Sequence, residues 1–288
     1  MNSEIKEIKI KDKNFPESLK NIPHPPKKLF VRGSILPEDK IAIAIVGARK
    51  CSSYGKQVAY DFAYALAKSG VTIISGLALG IDGEAHKGAL DAGGRTIAIL
   101  GSGIDDNSIY PYSHKSLAER ILENGALVSE YESGTPGYKG NFPERNRIIA
   151  GLSIGVLIVE AKEKSGSLIT AGMALEQGKD IFAIPGPIFS SGSTGTNKLI
   201  QQGAKLVLKP DDILEEMEMQ GVVVNKKKIE LTEVETSILK ILEDEALHIN
   251  DIIKKSNLAS HSVLTTVTIL ELKSLIRNIG GNIYSIKI

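Results

Sequence analysis

Ile41-Ala42-Ile43-Ala44-Ile45-Val46-Gly47-Ala48-Arg49 is the stretch that decides the fold. It is a continuous apolar run of buried-strand length, rich in β-branched residues, and it ends at a glycine. Outward from it the same unit recurs. Tyr54–Lys68 reads as a helix with apolar positions at Val58, Phe62, Ala65 and Leu66. Val71–Ile74 is the next strand, followed by Ser75-Gly76-Leu77-Ala78-Leu79-Gly80 and a helix to about Leu90. Arg95–Leu100, Gly101-Ser102-Gly103 and a helix over Ser116–Glu123 form a third unit, and Ala126–Ser129 is a short strand. Val156–Val159, a helix over Ser167–Gln177, Ile181–Ile184 and a helix near Asn197–Gln202 complete the series. Strands alternating with helices predict an α/β fold, an extended Rossmann-like, mainly parallel sheet with helices on both faces. Strand-to-helix turns leave such a sheet at its carboxyl edge, so their glycines converge on one crevice.

On either side of this core, taken as residues 39–217, the pattern changes. Residues 1–38 read as an N-terminal arm, and its centre, Ile22-Pro23-His24-Pro25-Pro26, must be extended or turning because residues before proline avoid the helical region. Residues 218–228 are acidic and Gln/Met-containing, then Lys-rich, and read as a linker. Residues 229–288 read as a small winged helix-turn-helix domain. A helix over Leu231–Leu242 opens with a capping box, Thr232 and Glu235. Helices over Ile249–Lys255 and Ser260–Ser274 follow, then a hairpin tipped by Gly280-Gly281-Asn282. There is no long internal repeat.

Composition narrows the function classes. With 288 residues, 42% hydrophobic and 24% charged, the chain has an ordinary soluble globular make-up. A formal net charge of +1 means that any nucleic-acid site is a local patch. The single cysteine, Cys51, excludes an internal disulfide and a cysteine-rich zinc site and fits a reducing cytosol, so a cytoplasmic protein is expected. Met1-Asn2-Ser3-Glu4-Ile5-Lys6-Glu7 alternates charge without an apolar core and is no signal peptide. No apolar run approaches the roughly 20 residues that span a bilayer.

Four Gly/Ser-rich turns fall at predicted strand ends: Gly47-Ala48-Arg49, Ser75-Gly76 through Gly80, Gly101-Ser102-Gly103, and Ser165-Gly166-Ser167 through Thr170. Glycine lets a phosphate approach the backbone, and hydroxyls with free helix N–H groups complete a cradle. None of the four has the Walker pattern or a clean Gly-x-Gly-x-x-Gly, which argues against a P-loop ATPase and a nicotinamide enzyme. Arg49 sits just past a buried strand, where a cation is costly unless paired, and anion binding is the favoured reading. Lys50 and Cys51 read as incidental neighbours. Asp82 and Glu84 fall in a first helical turn, where the dipole favours acids, and His86 lies one turn beyond Asp82. The pair has the spacing of a general base or a metal edge, but without a second histidine or cysteine cluster a structural role is favoured. No catalytic residue, metal or cofactor is assigned.

Lys139-Gly140-Asn141-Phe142-Pro143-Glu144-Arg145-Asn146-Arg147 follows a Gly/Pro turn and leads into an apolar run. Pro143 suits a first helical turn, which sets Phe142 at the helix mouth and Arg145 and Arg147 in that turn. Arginines oppose the positive helix end unless an anion lies there. An aromatic beside phosphate-binding cations is how proteins hold single strands, the ring stacking a base while the cations follow the backbone. A surface loop with solvated charges and Phe142 turned into the core fits this segment equally well.

Taken together these blocks resemble the DNA-processing protein A family (DprA, also called Smf). The resemblance runs in family order over residues 15–210. Its segments are Ile22–Pro26, Val31-Arg32-Gly33, Ile45–Arg49, Ser75–His86, Ser129-Glu130-Tyr131, Phe142–Ser153, Val159-Glu160-Ala161, Ser165–Thr170 and Ala183–Gly186. It implies a Rossmann-like protein that binds single-stranded DNA and helps load the RecA recombinase in natural transformation. It also implies DNA contacts from Arg49, Lys139, Phe142, Arg145 and Arg147. Many members carry a helical domain before the core, whereas about forty residues precede it here. The third C-terminal helix, with Ser260-His261-Ser262-Val263-Leu264-Thr265-Thr266, has almost no cations before Lys273, which favours a protein contact or weak DNA contact over duplex reading. It likewise speaks against a transcription factor working through that domain alone. The other alternative is a nucleoside-phosphate hydrolase of the lysine-decarboxylase-like Rossmann group, but Met173 stands where that group carries its glutamate. A homodimer is the expected oligomer, being the commonest symmetric one.

Overall fold

The computed structural model describes residues 4–222, 231–273 and 275–286. The chain divides into two compact units, residues 1–226 and 227–288. In the first unit the elements run β1 Ile5–Lys9, β2 Lys28–Gly33, β3 Ala42–Val46, α1 Ser53–Lys68, β4 Thr72–Ser75, α2 Ile81–Asp91, β5 Thr96–Leu100, α3 Lys115–Ile121 and β6 Gly125–Ser129. They continue with α4 Asn141–Leu152, β7 Gly155–Ile158, α5 Gly166–Glu176, β8 Asp180–Ala183, α6 Thr194–Gln201, β9 Lys205–Leu206 and α7 Pro210–Met219. The strands form one nine-stranded sheet in the order β1-β2-β6-β5-β4-β3-β7-β8-β9. From β6 to β9 every pairing is parallel, as expected for alternating strands and helices.

The run that begins at Ile41 is apolar throughout because β3 is buried on both faces. Ala42, Ala44 and Val46 belong to a core shared with α4 and α5. Ile43 and Ile45 belong to the opposite core, shared with α1 and α2. Strand order reverses between β3 and β7, and ligands of open α/β sheets bind at such a point, beyond the carboxyl ends of the strands.

Residues 1–38, expected as an arm, instead contribute two strands, β1 and β2, to the sheet. β1 pairs antiparallel with β2, and β2 antiparallel with β6. Phe15, Leu19 and Ile22 between them are buried in the core. β1 reads Ile-Lys-Glu-Ile-Lys, and an edge strand whose side chains half face water carries such charges, which also discourage pairing with another chain. At the other end, Pro210 opens α7, whose Ile213, Leu214 and Met217 are buried, so the expected linker begins inside a helix. Residues 223–228 of that linker lie outside the described residues. Among the described residues no helix is long and apolar enough to cross a membrane.

The second unit holds α8 Glu233–Leu242, β10 Leu247–His248, α9 Ile249–Ser256, α10 Ser260–Leu272, β11 Ile276–Asn278 and β12 Ile283–Ile286. Its three strands pair in the order β10-β12-β11. The expected capping box is present. The Thr232 N–H donates to Glu235 Oε2 at 2.8 Å, and the Glu235 N–H to Thr232 Oγ1 at 3.2 Å. The wing turns at Gly280, Gly281 and Asn282, all at positive φ. The exposed positions of α10 include His261, Leu264, Thr265, Thr268 and Leu272, none of them lysine or arginine. Lys273, the first cation after them, lies 2.6 Å from Glu235.

Candidate nucleic-acid interface

A cleft of about 550 Å³ opens at the switch point. Its walls come from the turn after β3 (Gly47, Arg49), the start of α4 (Lys139, Phe142, Pro143, Arg145, Asn146) and the start of α5 (Ser165, Gly166, Ser167, Thr170), with Ala78, Asp82 and Tyr110 alongside. Two helix N-termini therefore meet one cavity, each presenting the positive end of its dipole. Ser165 caps α5, accepting from the Ser167 N–H at 3.4 Å, and no acid stands in that helix's first turn. The Asn146 side chain donates to the Gly166 carbonyl at 3.5 Å and joins the two helix starts.

The four cradle turns do not behave alike. In the first, Gly47 faces the cleft while α1 is capped by the protein's own groups. The Ser52 N–H donates to Glu160 Oε2 at 2.9 Å, and the Ser52 hydroxyl bonds the same carboxylate. In the second, the anion is also internal. The Gly76 N–H donates to Asp82 Oδ2 at 3.0 Å, and the Ser75 hydroxyl to the Ile45 carbonyl at 2.6 Å. In the third, Asn141 donates to the Gly101 carbonyl at 3.0 Å, and a Cβ at Gly101 would lie 2.9 Å from the Phe142 ring. Ser102 is buried, and its hydroxyl is directed to the Gly103 carbonyl. Of the expected cradle groups, the Gly76 N–H and the Ser75 and Ser102 hydroxyls are thus directed to partners within the chain, and the space at Gly101 is filled by Phe142. In the fourth turn Gly166 is exposed with room for a side chain around it, whereas Ser167 and Thr170 are buried and the Ser165 and Ser167 hydroxyls bond each other at 2.8 Å.

The expected cations separate in the same way. Arg49 and Lys139 are exposed, and neither makes an ion pair among the described residues. The Arg49 guanidinium lies over the Phe142 ring, 5.0 Å from its centroid. Arg145 is buried, and its Nη1 donates to the carbonyls of Gly76 (2.8 Å) and Ile99. Burial lowers its guanidinium to about 10, against the attraction of Asp82, while burial raises the Asp82 carboxyl against the attraction of Arg145. Arg147 is held bidentately by Glu130 at 2.6 and 2.8 Å, and its Nε donates to the His24 carbonyl at 2.8 Å. Neither arginine is a free cation of the cleft, and neither lies in the first turn of α4, which starts at Asn141. Pro143, third in the helix, falls where an N–H has no helical partner anyway.

Phe142 is half-buried rather than free, with its ring centroid 5.4 Å from that of Tyr110. Tyr110 is the residue the sequence reading missed. It lines the cleft and is 48% exposed. Its signal was the aromatic pair around a proline, Tyr110-Pro111-Tyr112, in the loop after a buried strand. His86 takes the structural role. The Thr96 hydroxyl donates to the Ile73 carbonyl, so it accepts the Nδ1 proton of His86 at 2.7 Å. Burial lowers the imidazole to about 3, which keeps it neutral. Burial, then Glu160, raises the Cys51 thiol, the opposite of a reactive cysteine. Met173 packs against the core and lends no base to α5. Among the described residues no group of three or more His, Cys, Asp or Glu could hold a metal ion.

Residues 6–218 match the family described as DNA recombination-mediator protein A, and residues 225–282 match the DprA winged helix domain. The chain belongs to this family. Protein Smf of Escherichia coli is 50% identical over 205 residues, 71% of this chain and 54% of that protein, so the chain spans about half of that relative's length. The X-ray structure of DNA processing protein A from Streptococcus pneumoniae superposes with a TM-score of 0.70 at 43% identity, covering 74% of each chain. The Helicobacter pylori DNA processing protein A, whose structure is described for its single-stranded DNA binding mode, superposes with a TM-score of 0.66 at 32% identity. That match covers 76% of this chain and 99% of the other.

Proposed function

We propose that this chain binds single-stranded DNA in the switch-point cleft and helps load the RecA recombinase onto it, in transformation or recombination, without itself making or breaking bonds. The observation that carries the reading is the convergence in one cleft of two exposed cations without an ion pair among the described residues, an exposed aromatic and a helix start with no acid in its first turn. Arg49 and Lys139 would neutralise phosphates, the open start of α5 would receive another, and Tyr110 would stack a base. Membership of the family and the single-strand binding described for the Helicobacter relative support it. The cleft offers no set of base-edge readers, so binding is expected to be nearly independent of sequence. We further propose a cytoplasmic homodimer, and a protein-contacting role for the winged helix, whose third helix lacks exposed cations.

The test is a titration of the full chain with oligo-dT, the matched duplex and ATP across a salt series. Oligo-dT should bind best, and its affinity should fall steeply as salt rises. An affinity for oligo-dT that stayed flat between low and moderate salt would overturn the phosphate-contact reading. Turnover of ATP or of a nucleoside phosphate would return the hydrolase alternative.

A further inference from the structure

A second cavity, of about 490 Å³, lies at the other end of the sheet. It is walled by the segments 13–18 and 35–40, by Leu152–Ile154 at the end of α4, and by Lys179 just before β8. These residues mark the amino-terminal edge of the strands. The switch-point cleft opens at the carboxyl edge, and strands of four or five residues, at about 3.3 Å per residue, hold the two roughly 15 Å apart. The floor is apolar, made of Phe15, Ile35, Leu36, Ile74, Ile97 and Ile154.

Its charges do not balance. The lining holds two carboxylates, Glu17 and Asp39, and both are engaged by cations outside the lining. Lys20 lies 2.7 Å from Glu17. Arg95 donates twice to Asp39 at 2.8 Å, and Thr72 and the Leu36 N–H complete that carboxylate. Three lysines of the lining, Lys13, Lys40 and Lys179, make no ion pair among the described residues. Lys179 is half-buried, and desolvation alone lowers its ammonium, with no carboxylate opposing it. Withdrawing an ammonium from water without a partner is unfavourable, and an anion in the cavity would supply one. The size falls within the range of small-ligand sites, about 300–1,000 Å³, and an apolar floor with a few placed polar groups is their usual make-up.

We propose that this cavity binds a small carboxylic acid with an apolar body, the chain on the floor and the carboxylate among Lys179, Lys40 and Lys13. This site is independent of the DNA cleft.

The test is calorimetric titration of the full chain with octanoate and with octanol, which share a chain and differ in the charge. Octanoate should bind at least tenfold tighter than octanol. Lys179→Gln should weaken octanoate about tenfold and leave octanol within about twofold, because only a charge-assisted contact is lost. Oligo-dT should neither displace octanoate nor bind Lys179→Gln differently from the parent. Undetectable octanoate binding, equal affinities for the two probes, or displacement by oligo-dT would each overturn the proposal. Lys40→Gln, at an exposed position, repeats the test should Lys179→Gln melt early, and the expected loss there is a few-fold.

Discussion

The turn after β4 and the turn before α5 look alike in sequence, both Ser-Gly, yet they sit in opposite states. Ser75-Gly76 is closed by the chain itself, with Asp82 on its N–H and Arg145 on its carbonyl. Ser165-Gly166 is open to solvent, with no acid in the helix turn that follows. The same backbone chemistry that receives an external phosphate can be satisfied by an internal carboxylate. The closed turn rigidifies the crevice, and the open one leaves a place for a ligand. A Gly/Ser turn therefore signals an anion position, not whose anion fills it.

The largest expected effect is on the closed side. Arg145→Ala removes the buried cation whose attraction opposes the desolvation of Asp82, and takes one donor from each of the Gly76 and Ile99 carbonyls. Leaving a buried carboxyl and two buried carbonyls without that guanidinium costs about 3–5 kcal/mol. A denaturant melt should show that loss, with Asp82→Asn/Arg145→Met recovering much of it. An unchanged midpoint would mean that the turn is not closed by Arg145. Next come the two glycines. A Cβ at Gly76 would lie 2.6 Å from Arg145 and 2.7 Å from Asp82, so Gly76→Ala should cost about 1–3 kcal/mol. Gly166 has free space, and Gly166→Ala should stabilise by about 0.4–1 kcal/mol while lowering affinity for oligo-dT. Equal effects on stability at the two positions would erase the contrast.

That contrast marks how far the sequence could be read. The parallel core was legible because Ile41–Val46 and its fellows are buried on both faces and carry no polar interruption. The antiparallel edge was not, because β1 reads Ile-Lys-Glu-Ile-Lys, and a strand wetted on one side resembles a charged tail. α7 was hidden by its acids, which sit on its wet side while Ile213, Leu214 and Met217 face the core. Within the site, Arg49 and Lys139 stand where their sequence neighbours put them. Arg145 and Arg147 were indistinguishable from them in one dimension. Their partners, Asp82 and Glu130, are 63 and 17 positions away, and only the fold brings them close. Tyr110 was missed for the same reason, since it meets Phe142 across 32 residues.

On the open side the expected effects are on binding and are smaller. Arg49→Ala should weaken oligo-dT about tenfold, or 1.4 kcal/mol, and reduce the salt slope by about one. Tyr110→Leu should cost a similar amount, as base–aromatic stacking is worth about 1–3 kcal/mol, yet leave the salt slope where it was. Both variants should melt like the parent. A Tyr110 variant that changed the slope, or an Arg49 variant that did not, would reverse the roles assigned to them.

The smallest expected effect is at Phe142. Its ring edge is walled by Gly101 and Gly137, where added Cβ atoms would lie 2.9 and 3.0 Å away, and the Arg49 guanidinium lies over it. The ring is thus better placed to hold Arg49 than to receive a base. A cation–π contact at an exposed site is worth about 0.5–1 kcal/mol, so Phe142→Leu should weaken oligo-dT only about two- to fivefold. Because the effect passes through Arg49, it should vanish when Arg49 is already alanine, which a double-mutant cycle measures directly. Phe142→Tyr should keep the affinity, since a π-face remains under the guanidinium. A Phe142→Leu loss as large as that of Tyr110→Leu, and additive with Arg49→Ala, would mean that the base stacks on Phe142 itself and that Arg49 moves aside when the strand enters.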